Sequence, residues 1–241
     1  MKRDVSFSKQ IFQGYIDDAN VRLVSLMDHT PGQRQFTRMD KYSEYFKGKY
    51  GFTDEQLVAF IAEKLEWQRR FSAKHREILV NECRARGITM ASHDDATPEH
   101  VDEAIENGVT VAEFPTTLDA ARKAHGAGLR VLMGAPNMVL GGSHSGNVSA
   151  MDLGRAGVLD ILSSDYVPSS MVQAVFRLWQ DGASASLPDA VAKVSKTPAE
   201  VAGLDDRGEI AVGKRADLIR VTANDDTPVV MSAWRVGQRI I

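Results

Sequence analysis

Imidazole and carboxylate side chains follow several apolar runs of this 241-residue sequence, at the points where strands would end. The stretch 88–100 reads ITMASHDDATPEH and places His93, Asp94 and Asp95 in direct succession after one such run. His29 and Asp165 each follow another run. Neutral imidazole and ionised carboxylate are good ligands for zinc, manganese and iron. The residue types therefore predict a divalent-metal site that contains His29, His93 and Asp165, with zinc as the first choice of metal.

The predicted chemistry is hydrolysis. A bound divalent ion lowers the pKa of a water ligand to about 7, which supplies hydroxide at neutral pH. Asp165 could both hold the metal and relay the proton. Glu113 is a fourth candidate ligand, and the remaining candidates are polar residues near other strand ends. These are Asp94, Asp95, Asn137 and Ser143 for binding the substrate, and His144 as a catalytic residue in the glycine-rich loop GGSHSGN.

The metal and catalytic candidates also have structural interpretations, and His93 could be a hydrogen-bonded structural histidine. Asp165 could cap a helix that begins near Pro168, and Asp94 or Asp95 could interact with the dipole of the following helix. Glu113 could be the partner of a buried imidazole. His29 could be an ordinary loop residue, and His144 could lie in a flexible surface loop.

A basic cluster lies close to the first of these strand ends. It consists of Arg34, Arg38, Lys41, Lys47 and Lys49. Guanidinium groups bind phosphate oxygens through paired hydrogen bonds, so Arg34 and Arg38 are predicted to bind a phosphorylated substrate. The alternative is a solvated loop in which acidic residues balance the charge.

Five continuous apolar runs must position these residues, at 21–27, 88–92, 109–114, 129–134 and 159–164. Such runs are typical of parallel strands that are buried on both faces. Helical patterns at 97–108 and 116–128 separate three of them. A doubly wound sheet collects ligands at one switch point, whereas a barrel gathers every strand end around one mouth. Polar residues at all five ends therefore favour a barrel.

Three segments interrupt the alternation of strands and helices. Residues 28–50 form a long aromatic and basic excursion, predicted to be a lid or binding loop, and a helix-rich stretch follows at 53–86. Residues 135–150 have too few apolar positions for a core element. The tail from Glu209 predicts short strands in a small separate sheet. His75, His100 and His125 are expected on solvated helix faces.

Composition excludes several classes of protein. The formal charge is −3 and the pI about 6.1, so no overall attraction to nucleic acid or an anionic membrane is expected. Cys83 is the single cysteine, which rules out an internal disulfide framework and favours a reducing cytoplasm. No uncharged apolar segment approaches the roughly 18 residues of a membrane span.

The tail 196–221, KTPAEVAGLDDRGEIAVGKRADLIRV, resembles the C-terminal signature of the amidohydrolase superfamily. Six further strings resemble, more narrowly, the diphosphatases of phosphonate catabolism in the carbon–phosphorus lyase pathway. These are VSLMDHTPGQRQF, MASHDDAT, AEFPTT, LMGAPN, GGSHSGNVSA and DILSSDYVP. The resemblance spans about residues 8–241. It implies a metal-dependent hydrolase that releases pyrophosphate from the 5-triphosphate of a ribosyl phosphonate.

The resemblance also implies a (β/α) TIM-type barrel that is incomplete, with strands four to eight in residues 1–205, and a C-terminal β-sandwich portion in residues 206–241. His29, His93 and Asp165 then follow strands four, five and eight, and His93 and Asp165 match metal-site positions of the superfamily. Many relatives have a histidine in place of Glu113. The chain is expected to be a C-terminal portion of the family protein, and pairing with another copy is one way to cover its open sheet edges.

Two other functions stay open from the sequence. One is hydrolysis of a cyclic amide or imine, the commoner chemistry of the superfamily. The other is a non-catalytic remnant that binds metal or partner proteins without turnover.

Overall fold

The computed structural model describes residues 2–4, 12, 14–34, 39–141, 147–224 and 227–241. Two compact units divide the chain, Met1–Leu129 and Arg130–Ile241. The division into domains 1–205 and 206–241 rests on the resemblance and stays a prediction.

Four parallel strands form the sheet of the first unit, in the order β1, β2, β3 and β4. They are β1 Lys2–Asp4, β2 Leu23–Met27, β3 Thr89–His93 and β4 Val111–Glu113. Every residue of β4, and most residues of β2 and β3, are buried. Continuous burial agrees with the apolar runs that predicted these three strands. β1 was not predicted, and it pairs with β2 through partners such as Lys2 and Ser25.

Four helices accompany these strands, and their ends follow from local sequence. They are α1 Met39–Tyr50, α2 Asp54–Arg86, α3 Pro98–Glu106 and α4 Leu118–Gly126. Thr53 and Gln56 form a capping box at the start of α2. α3 and α4 begin after Thr97 and Thr117, whose hydroxyls accept backbone N–H bonds.

Part of the predicted loop at 28–50 is the helix α1. Three of its aromatic residues, Tyr42, Phe46 and Tyr50, are four positions apart, so they share one helix face. The Tyr42 and Phe46 rings stack at a centroid distance of 4.3 Å, and Phe46 contacts Phe60 of α2 at 5.3 Å. Packing of aromatic rings against α2 therefore explains why this segment is helical.

The second unit contains the parallel pair β5 Arg130–Gly134 and β6 Ile161–Ser163. Its helices are α5 Ala135–Leu140, α6 Ala150–Arg155, α7 Ser170–Gln180, α8 Leu187–Ala192 and α9 Lys196–Val201. The expectation that residues 135–150 hold no core element was wrong for α5, because Met138 is fully buried.

The tail forms a separate antiparallel sheet, as predicted. Its strands are β7 Leu218–Asn224, β8 Thr227–Arg235 and β9 Gln238–Arg239. Across the described residues, no helix combines the length and the apolar character that a membrane span needs.

Candidate metal centre

His29, His93 and Asp94 come together at the carboxyl ends of β2 and β3. Each offers one ligand atom, and these atoms all lie within 4.8 Å of one another. Asp94 Oδ2 is 3.3 Å from Nε2 of His29 and 3.3 Å from Nε2 of His93. The two imidazole rings meet edge to face at a centroid distance of 5.2 Å. Two imidazole nitrogens that converge on one carboxylate oxygen form a donor set that suits a divalent metal.

The second ring nitrogen of His93 has a fixed partner. Its Nδ1 lies 2.7 Å from Glu113 Oε2, and the Ser25 hydroxyl donates to the same oxygen at 2.5 Å. Parallel pairing of β3 and β4 sets His93 directly beside Glu113. A buried carboxylate that accepts from Nδ1–H leaves Nε2 as the lone-pair nitrogen for a metal. This geometry favours the interpretation of Glu113 as the partner of a buried imidazole over its predicted role as a ligand.

The backbone turns sharply where β3 and β4 end. Asp94 and Phe114 both have left-handed conformations, each with φ of 56°. Aspartate tolerates this region better than most residues, but phenylalanine does not. The Asp94 N–H donates to the Glu113 carbonyl at 3.0 Å, which joins the two turns. Such strain persists only where surrounding contacts hold it, and it concentrates at functional sites.

Asp95 is buried in an ion pair instead of standing in an open site. It is 1% exposed, and its carboxylate accepts from the Ser92 hydroxyl and from Arg34 Nη1. Burial raises the pKa of Asp95, while the Arg34 charge opposes that rise. Arg34 also donates to Glu103 Oε2 at 2.8 Å and to the His93 carbonyl at 3.4 Å. These contacts favour structural roles for Asp95 and Arg34, both of which were predicted to bind the substrate.

Asp165 and Asn137 belong to the second unit. Asp165 follows β6 with φ of 47°, and α7 begins only after Ser169, so Asp165 is not the residue that caps this helix. A Cβ atom on Gly134, the last residue of β5, would lie 3.1 Å from Asp165 Oδ2. Asn137 Oδ1 accepts the backbone N–H of Ala150 at 2.8 Å, which is a structural contact at the start of α6. A meeting of Asp165 with His29 and His93 stays a prediction.

Three predicted site residues lie outside the described residues, namely Arg38, Ser143 and His144. Ser25 and Ser92 were not predicted as site residues, and their hydroxyls donate to the buried carboxylates of Glu113 and Asp95. A polar residue inside an apolar run was the available signal for both. His100 was expected on a solvated face and is half-buried instead, with Nδ1 accepting from the Ala96 N–H at 3.1 Å.

The parallel strands and the sequence profile define the class of protein. The profile of the Amidohydrolase family matches residues 19–235, and the chain belongs to this family. Its α/β fold with a parallel sheet agrees with the predicted fold class at that level.

One curated relative is similar over nearly the whole chain. The chain is 49% identical over 231 residues to alpha-D-ribose 1-methylphosphonate 5-triphosphate diphosphatase of Escherichia coli (strain K12). The alignment covers 95% of this chain and 61% of the relative, so the chain spans less than two thirds of the length of that protein.

One solved structure shows a similar fold, and a second gives a lower TM-score. The structure of an uncharacterized protein superposes with a TM-score of 0.54 at 20% identity, covering 70% of this chain and 49% of the other. An adenine deaminase gives a TM-score of 0.48 at 14% identity, covering 98% of this chain and 64% of the deaminase. At these identities the first comparison shows the fold alone.

Proposed function

We propose that the chain belongs to a metal-dependent diphosphatase that releases pyrophosphate from the 5-triphosphate of a ribosyl phosphonate. The observation that carries the proposal is the convergence of His29, His93 and Asp94 in a chain 49% identical to such a diphosphatase. The substrate is a phosphorylated ribosyl compound. Homo-oligomerisation and a cytoplasmic location remain predictions.

The finer architecture is part of the proposal. β2 to β6 would be strands four to eight of a (β/α) barrel, and residues 206–241 would be a portion of a β-sandwich. The parallel pairing of β2 with β3, of β3 with β4 and of β5 with β6 supports the barrel. The separate antiparallel sheet β7–β9 supports the sandwich.

Each residue of the centre has a proposed role. His29, His93 and Asp94 would hold the metal, and Asp165 is proposed as a further ligand that also accepts a proton. A divalent ion, with zinc as the first choice, supplies Lewis-acid activation of water when it is bound. Glu113 keeps a proton on Nδ1 of His93, which orients the imidazole toward the metal position.

Phosphorus NMR tests the proposal directly. The zinc-loaded protein is incubated with the ribosyl phosphonate 5-triphosphate, and the expected products are pyrophosphate and the 5-phosphate. His93→Asn should abolish the release, whereas His125→Asn, on helix α4, should leave it unchanged. Formation of orthophosphate alone, or no cleavage by the folded and zinc-loaded protein, would contradict the proposed function.

A further inference from the structure

A cavity of about 310 Å³ opens between α2, α3 and the loop that follows β2. Small-molecule sites occupy about 300–1,000 Å³, so its volume is at the lower end of that range. The cavity borders the candidate metal centre. Asp28, in its wall, precedes His29 in the chain, and Arg34, also in its wall, donates to the His93 carbonyl.

Among the residues that line the cavity, positively charged groups outnumber negatively charged ones. Three guanidinium groups line it, those of Arg34, Arg69 and Arg76, against the two carboxylates of Asp28 and Glu103. Glu103 accepts from both Arg34 and Arg76. Arg34 also pairs with Asp95, and Arg69 donates to Glu66, and neither of these carboxylates lines the cavity. Because a guanidinium carries five N–H donors, these bonds use only some of the donors of the three groups. An anionic ligand would use the remaining donors.

Asp28 already has internal donors. Its Oδ1 accepts the Thr30 N–H at 3.1 Å, and its Oδ2 lies 3.5 Å from the Gln68 amide nitrogen. Asp28 therefore has its own hydrogen-bond donors within the protein, and its negative charge stands in the wall against the three guanidinium groups. Gln68 adds a further amide group to the wall.

His100 contributes a fixed neutral donor to the same wall. Its Nδ1 accepts the Ala96 backbone N–H at 3.1 Å, and a backbone N–H can only donate. The imidazole hydrogen is therefore on Nε2. Burial, and next the neighbouring Arg34 charge, lower the pKa of His100, so the ring is neutral at physiological pH.

We propose that this cavity binds the pyrophosphoryl group of a phosphorylated ligand. Guanidinium groups recognise phosphate oxygens in bidentate fashion, and a pyrophosphoryl group offers enough oxygens for several donors at once. The identity of the ligand rests on the proposed function. The anion site then lies mainly on α2, at Gln68, Arg69 and Arg76, and Arg34 of the loop after β2 also lines it.

Calorimetric titration with inorganic pyrophosphate tests the cavity. EDTA is present so that metal-mediated binding does not contribute. We expect saturable binding of pyrophosphate. Arg69→Gln should lower the affinity by about tenfold, because one charged hydrogen bond contributes about that factor. Arg70→Gln is the matched control, because Arg70 is also exposed on α2 and also lies near Glu66, but it does not line the cavity.

A second variant leaves the arginines of the cavity and their ion pairs unchanged. Ala73 is an exposed residue in the cavity wall, and Ala73→Asp would bring a carboxylate toward the bound anion without removing any contact of the fold. We expect at least a tenfold loss of pyrophosphate affinity with an unchanged melting temperature. Wild-type affinity in both Arg69→Gln and Ala73→Asp, or no heat of binding at millimolar pyrophosphate, would overturn the proposal.

A competition experiment separates substrate from product. If ribose 5-triphosphate displaces pyrophosphate, the cavity holds the triphosphate tail of the substrate. Binding of pyrophosphate without such displacement would restrict the cavity to the released product. Hydrolysis is measured separately, so pyrophosphate binding without turnover contradicts the proposed function alone, and turnover without pyrophosphate binding contradicts the cavity alone.

Discussion

Replacing Glu113 by glutamine should weaken zinc binding by about tenfold and leave the chain folded. Glu113 Oε2 lies 2.7 Å from His93 Nδ1 and is buried, so its charge acts on the imidazole with little screening by solvent. The glutamine oxygen can accept the same hydrogen, but a neutral acceptor forms a bond about half as strong. The difference is about 1–1.5 kcal/mol, close to the lower end of the loss seen when second-sphere partners are removed.

The assay is competition for zinc with a chromophoric chelator at neutral pH. Thermal melts in EDTA check that the metal-free variant is folded, and Glu106→Gln, an exposed position at the end of α3, is the control. Zinc affinity within twofold of the wild type would refute the orienting role of Glu113. A loss as large as that of His93→Asn would show that Glu113 is itself a ligand.

Three further predictions concern pH, reactivity and packing. Because the folded pKa of His100 is below its ordinary value of 6.5, the unfolded chain binds more protons below that pH. The free energy of unfolding should therefore fall as the pH drops below about 6.5, by at most about 1.4 kcal/mol per pH unit, and urea titrations of His100→Gln should show a smaller fall. Cys83 is fully buried and burial raises its pKa to about 11, so it should react with a disulfide reagent at pH 8 only after unfolding; equal rates in the folded and denatured chain would contradict this. Gly134→Ala places a Cβ 3.1 Å from Asp165 Oδ2 and should slow pyrophosphate release by about tenfold. The control Gly126→Ala places its Cβ in open space and should not change the rate. Equal rates of release for the two variants would count against a reacting role of Asp165.

The sequence was sufficient to predict the strands that carry the centre. β2 to β6 are continuous apolar runs, because both faces of these strands are covered. Parallel strands connected through helices present their carboxyl ends at one edge, so His29 and His93 could be predicted to meet. β1 has three residues and no apolar run, and only its pairing with β2 makes it a strand.

The roles of individual side chains were less predictable. Asp94 and Asp95 are identical neighbours in the sequence, yet only Asp94 reaches the two imidazoles. The left-handed backbone at Asp94 separates their directions, and Asp95 pairs with Ser92 and Arg34. Arg34 comes from a sequence-distant loop, whose position beside Asp95 the residue types do not reveal.

The helix α1 could have been found from its sequence. Tyr42, Phe46 and Tyr50 recur every fourth residue, which is the spacing of one helix face. The charged residues between them gave the segment the composition of a loop.

The cavity wall on α2 was missed for a different reason. Gln68, Arg69 and Arg76 have the composition of an exposed helix face, and only the packing of α3 and the β2 loop makes them part of a cavity wall.

The length of α2 has a consequence for how the first unit opens to solvent. Its 33 residues extend for about 50 Å, and its buried positions are unevenly distributed. Leu57 is the buried residue in the first half of the helix. The buried residues of the second half are Ser72, Leu79, Val80 and Cys83. Amide hydrogens near the N-terminal end should therefore exchange with deuterium at a lower free-energy cost than those near Val80. The N-terminal turns of α2 can then unfold locally while the amide hydrogens of the turns beside the cavity stay protected from exchange.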